Sequence, residues 1–266
     1  MKKIFAFALI ASLLTIPAFA HKKTAKVAKK ERTAITWIED KPGPTFQARK
    51  IFSTVPDSLW ASLGLGDGVP SSVSCFLLQT EGKTILLDTG YGAPFSQLQK
   101  KLSEKGLKSR DIRLIYLTHM HRDHIGGLLK DDKAAFPNAD IYINRIEVEA
   151  WKNMPDTENV LQRKVLAAYK NHLHLFEAGE TLAGGVKTID AYGHTPGHTV
   201  FQKGTILVIG DLIHGAAIQL EHPEYCPSYD MDPATATASR IRIMEYARKN
   251  HLTMYGMHLP EPGYIK

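Results

Sequence analysis

The chain has 266 residues, 44% of them hydrophobic and 23% charged, which suits one large domain with a sizeable core. No internal repeat or low-complexity array runs through it, so repetitive and fibrous classes are excluded. The formal net charge of +6 does not indicate a basic domain. Lys2 and Lys3 lie in a targeting segment, and Lys22, Lys23, Lys26, Lys29, Lys30 and Arg32, against Glu31, carry most of the rest, which leaves the remainder close to neutral.

Residues 1–20 read as a signal peptide. Lys2 and Lys3 form a charged start, Ile4 to Ile16 is apolar and uncharged, and Ala18-Phe19-Ala20 is an A-x-A cleavage signal. The apolar run is too short to span a bilayer, and the residue directly after Ala20 is His21, not a cysteine that could carry a lipid. Cleavage after Ala20 predicts a periplasmic or secreted protein without a stable membrane anchor. Residues 21–33 read as a solvated, disordered basic leader. No aromatic residue interleaves the run, so nucleic acid is not an expected partner. Residues 34–266 are the expected folded domain.

Two strand-like pieces follow, at 34–38 and 46–52, with Pro42-Gly43-Pro44 as a turn between them. In Asp57 to Leu65, Leu59, Trp60, Leu63 and Leu65 sit close to Gly64, Gly66 and Gly68 without a clear period. This segment is expected to be a mobile apolar lid over the site; the alternative is that these side chains plug the core. Strands return at 73–80 and 84–88, joined by a Glu81-Gly82 turn. Phe95 to Lys105 reads as a helix stopped by Gly106. The apolar run 112–117 reads as a buried strand. Strands are further expected at 141–143, 174–176, 186–192, 199–203 and 205–210, and helices over Arg145 to Lys152 and Asn159 to Asn171. Asp232 as N-cap and Pro233 at the first position open a last helix through Arg248. Strands alternating with helices on a mixed sheet define an α/β layer architecture. Cys75 falls in an apolar strand and reads as a buried thiol, while Cys226 sits in a polar loop. An exported chain permits a disulfide between them.

The stretch Thr118-His119-Met120-His121-Arg122-Asp123-His124-Ile125-Gly126-Gly127 puts three imidazoles and one carboxylate within six residues. That density suits a metal site. In extended backbone His119 and His121 leave the same face and can grip one ion. Asp123 and His124 follow where the chain must turn and can point to a second ion. Gly126 and Gly127 allow a tight turn with no Cβ in the way. Further donors occur in Gly193-His194-Thr195-Pro196-Gly197-His198, at Asp211 after the run 205–210, and at His258 after the run 252–257. Each lies at or just after the C-terminal end of an expected strand, where open α/β sheets build their sites.

The motifs HMHRDH, GHTPGH, Gly210-Asp211 and Gly256-Met257-His258, in this order, resemble those of the metallo-β-lactamase superfamily. The resemblance spans roughly Val73 to the C-terminus, and Leu86-Leu87-Asp88-Thr89-Gly90 fits the strand-turn upstream of the metal loop. Phe136-Pro137-Asn138-Ala139, Gly210-Asp211-Leu212-Ile213-His214, Asp230-Met231-Asp232-Pro233 and His258-Leu259-Pro260 resemble the methyl parathion hydrolase-like and acyl-homoserine lactonase-like branch. The resemblance implies a four-layer αβ/βα sandwich with metals at one edge of the sheets. It implies that His119, His121 and His194 hold a first ion, that Asp123, His124 and His258 hold a second, and that Asp211 bridges both. His198 is expected to pack or hydrogen-bond behind the site. Asp88 is expected to orient a ligand histidine. His172, His174, His222 and His251 match no motif and are expected at the surface.

Imidazole and carboxylate ligands suit Zn²⁺, with Mn²⁺, Fe²⁺ and Co²⁺ as alternatives. Two such ions imply a hydrolase that uses a metal-bridged hydroxide, with Asp123 and Asp211 required for chemistry and no serine or cysteine nucleophile. Asp211 favours lactonase, thioesterase and phosphotriesterase relatives over zinc β-lactamases. His214 stands where lactonases place a substrate-contacting tyrosine, so it is expected to touch substrate or support the site. The expected substrate is a small lactone, carboxylic ester or phosphotriester. Rival readings are a β-lactam hydrolase and, in a different class, a non-hydrolytic iron, redox or metal-binding protein. The sequence leaves oligomeric state open, a homodimer included, and fold alone does not name the substrate.

Overall fold

The computed structural model describes Met1 and residues 33–266. The signal segment and basic leader, apart from their end residues Met1 and Thr33, lie outside the described residues. Two six-stranded sheets dominate the fold. The first runs, in spatial order, through Ala34–Glu39, Ser74–Thr80, Lys83–Leu87, Leu114–Tyr116, Asp140–Asn144 and Leu173–Phe176. The second runs through Thr181–Leu182, Val186–Asp190, Thr199–Lys203, Ile206–Gly210, Thr253–Gly256 and Tyr264–Ile265. Each sheet is mixed. Lys83–Leu87, Leu114–Tyr116 and Asp140–Asn144 are parallel neighbours, as are Ile206–Gly210 and Thr253–Gly256. Among the described residues the α-helices are α1 (Asp57–Leu63), α2 (Leu98–Glu104), α3 (Arg122–Ile125), α4 (Arg145–Lys152), α5 (Val160–Ala168), α6 (Ala216–Gln219) and α7 (Pro233–Lys249). None is long and apolar enough to cross a membrane.

Alternation along the strands explains the layers. Phe76, Leu78, Ile85, Leu87 and Tyr116 from the first sheet meet Val186, Phe201 and Val208 from the second in one buried cluster. Leu77, Leu86, Ile115 and Ile141 point the other way, into a cluster with Leu98, Leu102, Val148 and Val165 of α2, α4 and α5. Val200, Leu207 and Ile209 likewise pack on Ile243 and Ala247 of α7. Both sheets are therefore covered on both faces, which gives the expected αβ/βα sandwich. Asp232 caps α7 as expected, its side chain accepting the Thr235 N–H, with proline next in line.

Two local expectations are corrected. The piece 46–52 is not one strand. Thr45–Ala48 pairs with Gly68–Ser71, and the chain then turns through a 3-10 segment at Arg49–Phe52. Asp57 to Leu65 is not a lid. Leu59, Trp60 and Leu63 fall on a helical period within α1, and Trp60, 2% exposed, packs with Phe52, Val55, Val69 and Ile218. Gly64 is no hinge: at φ 64° it is the left-handed residue that closes α1, bonding back to Trp60 and Ala61 carbonyls. The core alternative holds for Trp60, with Leu59 and Leu65 partly buried against the same cluster, because burying an indole outweighs leaving it over a polar cleft; Leu63 is 40% exposed.

Candidate metal centre

All seven expected ligands meet at one edge of the two sheets. His119 follows strand Leu114–Tyr116, Asp211 follows Ile206–Gly210, and His258 follows Thr253–Gly256. Met120, between His119 and His121, points into the helix-side core, so extended backbone sends the two imidazoles to the opposite face. The single turn α3 then carries Asp123 and His124. Gly126 and Gly127 press against the carbonyls of Tyr91 and Thr89, where a Cβ on either would collide. Their φ values need no glycine at Gly126, which is in the right-handed region; close approach is the reason for the residue type. The sheets are riveted beside the site by Ser72, whose N–H donates to the His258 carbonyl and whose Oγ lies 3.0 Å from the Met257 carbonyl and 2.7 Å from that of Leu259.

Donor atoms of His119, His121, His194 and Asp211 all lie within 4.8 Å of one another, and those of Asp123, His124 and His258 do the same. The outward partners fix how the rings are used. His124 Nδ1 faces Asp88 Oδ2 at 2.7 Å, His194 Nδ1 faces Asp230 Oδ1 at 2.9 Å, and His258 Nδ1 faces the Ser72 carbonyl at 2.8 Å. These partners accept, so each Nδ1 carries a proton and, in the neutral ring that binds metal, each Nε2 turns a lone pair inward. Thr118 Oγ1 donates to Asp88 at 2.7 Å and so accepts from His119 Nδ1 at 3.0 Å, with the same consequence.

Those lone pairs converge on one carboxylate. His124 Nε2 lies 3.1 Å from Asp211 Oδ1; His258, His194 and His119 Nε2 lie 3.0, 3.3 and 3.7 Å from Oδ2. His121 presents Nδ1, 3.0 Å from His119 Nε2 and 2.9 Å from His194 Nε2. Acceptors facing acceptors repel unless a cation lies among them. Two of the atoms, His124 Nε2 and Asp211 Oδ1, are buried without any hydrogen-bond partner. The residues present therefore fit divalent ions held by nitrogen and oxygen donors.

Burial and mutual repulsion push His119 and His121 well below the usual imidazole range. His124 and His258 are also buried, but the carboxylates of Asp211 and Asp123 raise them. Burial would raise Asp211, yet His124, His258 and His119 around it hold it well below the usual carboxylate range. The carboxylate thus stays ionised and available as a bridging ligand.

His198 lies behind the ligands, as expected. Its Nδ1 donates to the Ala191 carbonyl at 2.9 Å and its Nε2 accepts the Asp211 N–H at 3.0 Å. Burial depresses its pKa to about 3, which keeps that acceptor free. Asp88 does what was expected of it and more: it also accepts the Thr118 N–H at 2.8 Å. His214 is buried, with Nε2 3.1 Å from Asp211 Oδ2 and its ring stacked 5.0 Å from that of His258. It lines a cleft of about 480 Å³ together with Phe46, Lys41, Tyr91, Arg122 and Tyr229. No α1 residue is among those lining it. His172, His174, His222 and His251 lie away from the centre at the surface. Cys75 is a buried free thiol, and Cys226 is free as well.

Sequence reasoning assigned no role to Asp230, Arg240 or Glu147. Asp230 holds His194 and is itself gripped by the buried Arg240 guanidinium at 2.8 Å. Asp230 had a signal in the stretch Asp230-Met231-Asp232-Pro233, whereas Arg240 and Glu147 are single residues with no local spacing to mark them.

Residues 68–258 match the model of the metallo-beta-lactamase superfamily. The chain belongs to this superfamily. An N-acyl homoserine lactonase of Bacillus cereus is 29% identical over 229 residues, 76% of this chain and 86% of the relative. Another, of Bacillus thuringiensis, is 26% identical over 214 residues, 70% and 80% of the two chains. Among solved structures, AidC, a dizinc quorum-quenching lactonase with an N-hexanoyl-L-homoserine product, superposes with a TM-score of 0.78 at 28% identity, over 89% of this chain and 90% of that one. The hydrolase AbOPH of the beta-lactamase superfamily gives 0.76 at 28% identity, over 87% and 89%. The chain is accordingly a metal-dependent hydrolase.

Proposed function

We propose that the chain is an exported dinuclear zinc hydrolase that opens lactones and related esters. The observation that carries this reading is the ring of inward imidazole lone pairs around Asp211, with Asp123 beside the second group at 3.4 Å from His258 Nε2. His119, His121 and His194 would hold one ion, Asp123, His124 and His258 the other, and Asp211 would lie between them. When bound, such a pair polarises the substrate's carbonyl oxygen and makes hydroxide available near neutral pH.

The chain's own residues supply the rest. Asp88 and Asp230 hold His124 and His194 in one tautomer and one orientation. His198 fixes the backbone of Asp211 from behind. His214 meets the substrate from the cleft wall. Phe46, 60% exposed at the rim, and Tyr229 offer apolar surface to the non-reacting part of an ester. Lys41 and Arg122 line the same cleft and form no ion pair among the described residues, so they are free to meet carbonyl or carboxylate oxygens. The lactonase relatives support the choice of lactones, and the signal motif ending at Ala20 supports export. A panel on the zinc-loaded protein tests the reading: an N-acyl homoserine lactone, an aryl phosphotriester, a thioester and a chromogenic β-lactam. Lactone turnover well above the other three is expected; turnover of the β-lactam alone would overturn it.

A further inference from the structure

The carboxylate of Glu147 is fully buried, although it belongs to none of the ligand groups. Asn144 caps α4 by accepting the Ile146 N–H, which places Glu147 in the first helical turn. Its Oε1 accepts the backbone N–H of Met120 at 2.9 Å and the Trp151 indole N–H at 2.7 Å. Its Oε2 accepts the backbone N–H of Gly197 at 2.9 Å. Met120 stands between His119 and His121, and Gly197 is in the loop that opens with His194. One carboxylate thus ties together the two loops that supply the first group of histidines.

Two further observations point the same way. The loop at Gly197 lies so close to α4 that a Cβ there would collide with the backbone of Glu147. From α5, Gln162 holds the Met120 carbonyl at 2.8 Å, so both backbone polar groups of Met120 are gripped. The histidines of the second group do not rest on Glu147: His124 rests on Asp88, which also reaches His119 through Thr118, and His258 rests on Ser72. Hydrogen bonds to an ionised acceptor are roughly twice as strong as neutral ones, and a coordination site must be held to within about 0.5 Å.

We propose that Glu147 is the positioning residue of the first metal group: it sets the separation of His119 and His121 from His194 and, through that, the affinity for one of the two ions. The inference rests on the dinuclear reading above. Glu147→Gln keeps the shape but turns one acceptor oxygen into a donor facing backbone N–H groups, so one loop is released.

The test uses the full chain stripped with chelator and titrated with Co²⁺. Metal content, visible absorption and circular dichroism are recorded for wild type, Glu147→Gln, Trp151→Phe and a His121→Ala reference. Glu147→Gln is expected to bind one ion as wild type does and the other about 10–100-fold more weakly, the range for partners of metal ligands. At limiting cobalt its spectrum should match that of His121→Ala. Trp151→Phe removes one donor from the carboxylate and should weaken the same ion by a smaller factor. A folded Glu147→Gln with the wild-type isotherm, or with both ions weakened equally, overturns the proposal. If that variant does not fold, Trp151→Phe decides in the same way, an unchanged isotherm overturning it. Fewer than two ions in wild type would instead overturn the dinuclear reading.

Discussion

Trp60→Ala separates a core residue from a lid. The indole is 2% exposed and meets Phe52 edge-on at 6.5 Å between ring centres. The Arg49 guanidinium lies 5.2 Å from the ring centre on its outer side. Truncating a buried Trp to Ala costs roughly 3–5 kcal/mol from lost burial and the cavity left behind. In a domain of this size each kcal/mol lowers Tm by roughly 2–4 °C, so a fall of roughly 6–20 °C is expected. Trp60→Phe should cost less, because it keeps an aromatic ring against Phe52 and removes an indole N–H that has no partner. Thermal melting followed by circular dichroism reads the stability, and lactone kinetics on the folded variant at low temperature read function. KM and kcat should stay close to wild type. A Tm within about 2 °C of wild type, together with a raised KM or altered substrate preference, would restore the lid and refute the packing argument.

Alanine at Asp211 or Asp123 should abolish turnover or nearly so, whereas His198→Ala should cost about 10–100-fold in metal affinity. If elemental analysis shows metal lost from His198→Ala and kept in His194→Ala, the ligand assignment is reversed. Removing Arg240 with Arg240→Met leaves Asp230 buried without its ion pair, so a loss of roughly 3–5 kcal/mol is expected in denaturant melts. Zinc at 100 times its Kd should stabilise the chelated protein by about 2.7 kcal/mol; an unchanged melt on zinc addition would contradict a folded-state metal site. Burial pushes the Tyr169 phenol up to about 12. A raised pKa in the folded chain means its contribution is complete below the unfolded value of about 10 and is lost as pH rises toward 12. Melts across that window should show the decline, and Tyr169→Phe should flatten it.

The seven residues that converge at the candidate metal centre were legible because the chain concentrates them. Three histidines and an aspartate fall within six residues, Asp211 and His258 each follow an apolar strand close to Gly210 or Gly256, and His194 lies in the loop after 186–190. Layering was legible for the same reason: alternating runs such as 74–80 and 206–210 declare two buried faces. What supports the ligands was not. Glu147 is one of two acidic residues on its helix, and only the fold brings it against Met120 and Gly197. Asp230 and Arg240 are ten residues apart across a loop and a helix, a pairing no local period announces. The segment around Trp60 misled because its helix is seven residues long and followed closely by glycines. Those glycines serve a helix end and a turn, not a hinge.

The most direct measurement titrates zinc into chelator-treated protein while following hydrolysis of N-hexanoyl homoserine lactone. Activity that rises and saturates at about two zinc ions per chain is expected from paired ligand groups sharing Asp211. Saturation at one equivalent, or lactone hydrolysis unaffected by chelation, would contradict a dinuclear metal-dependent hydrolase.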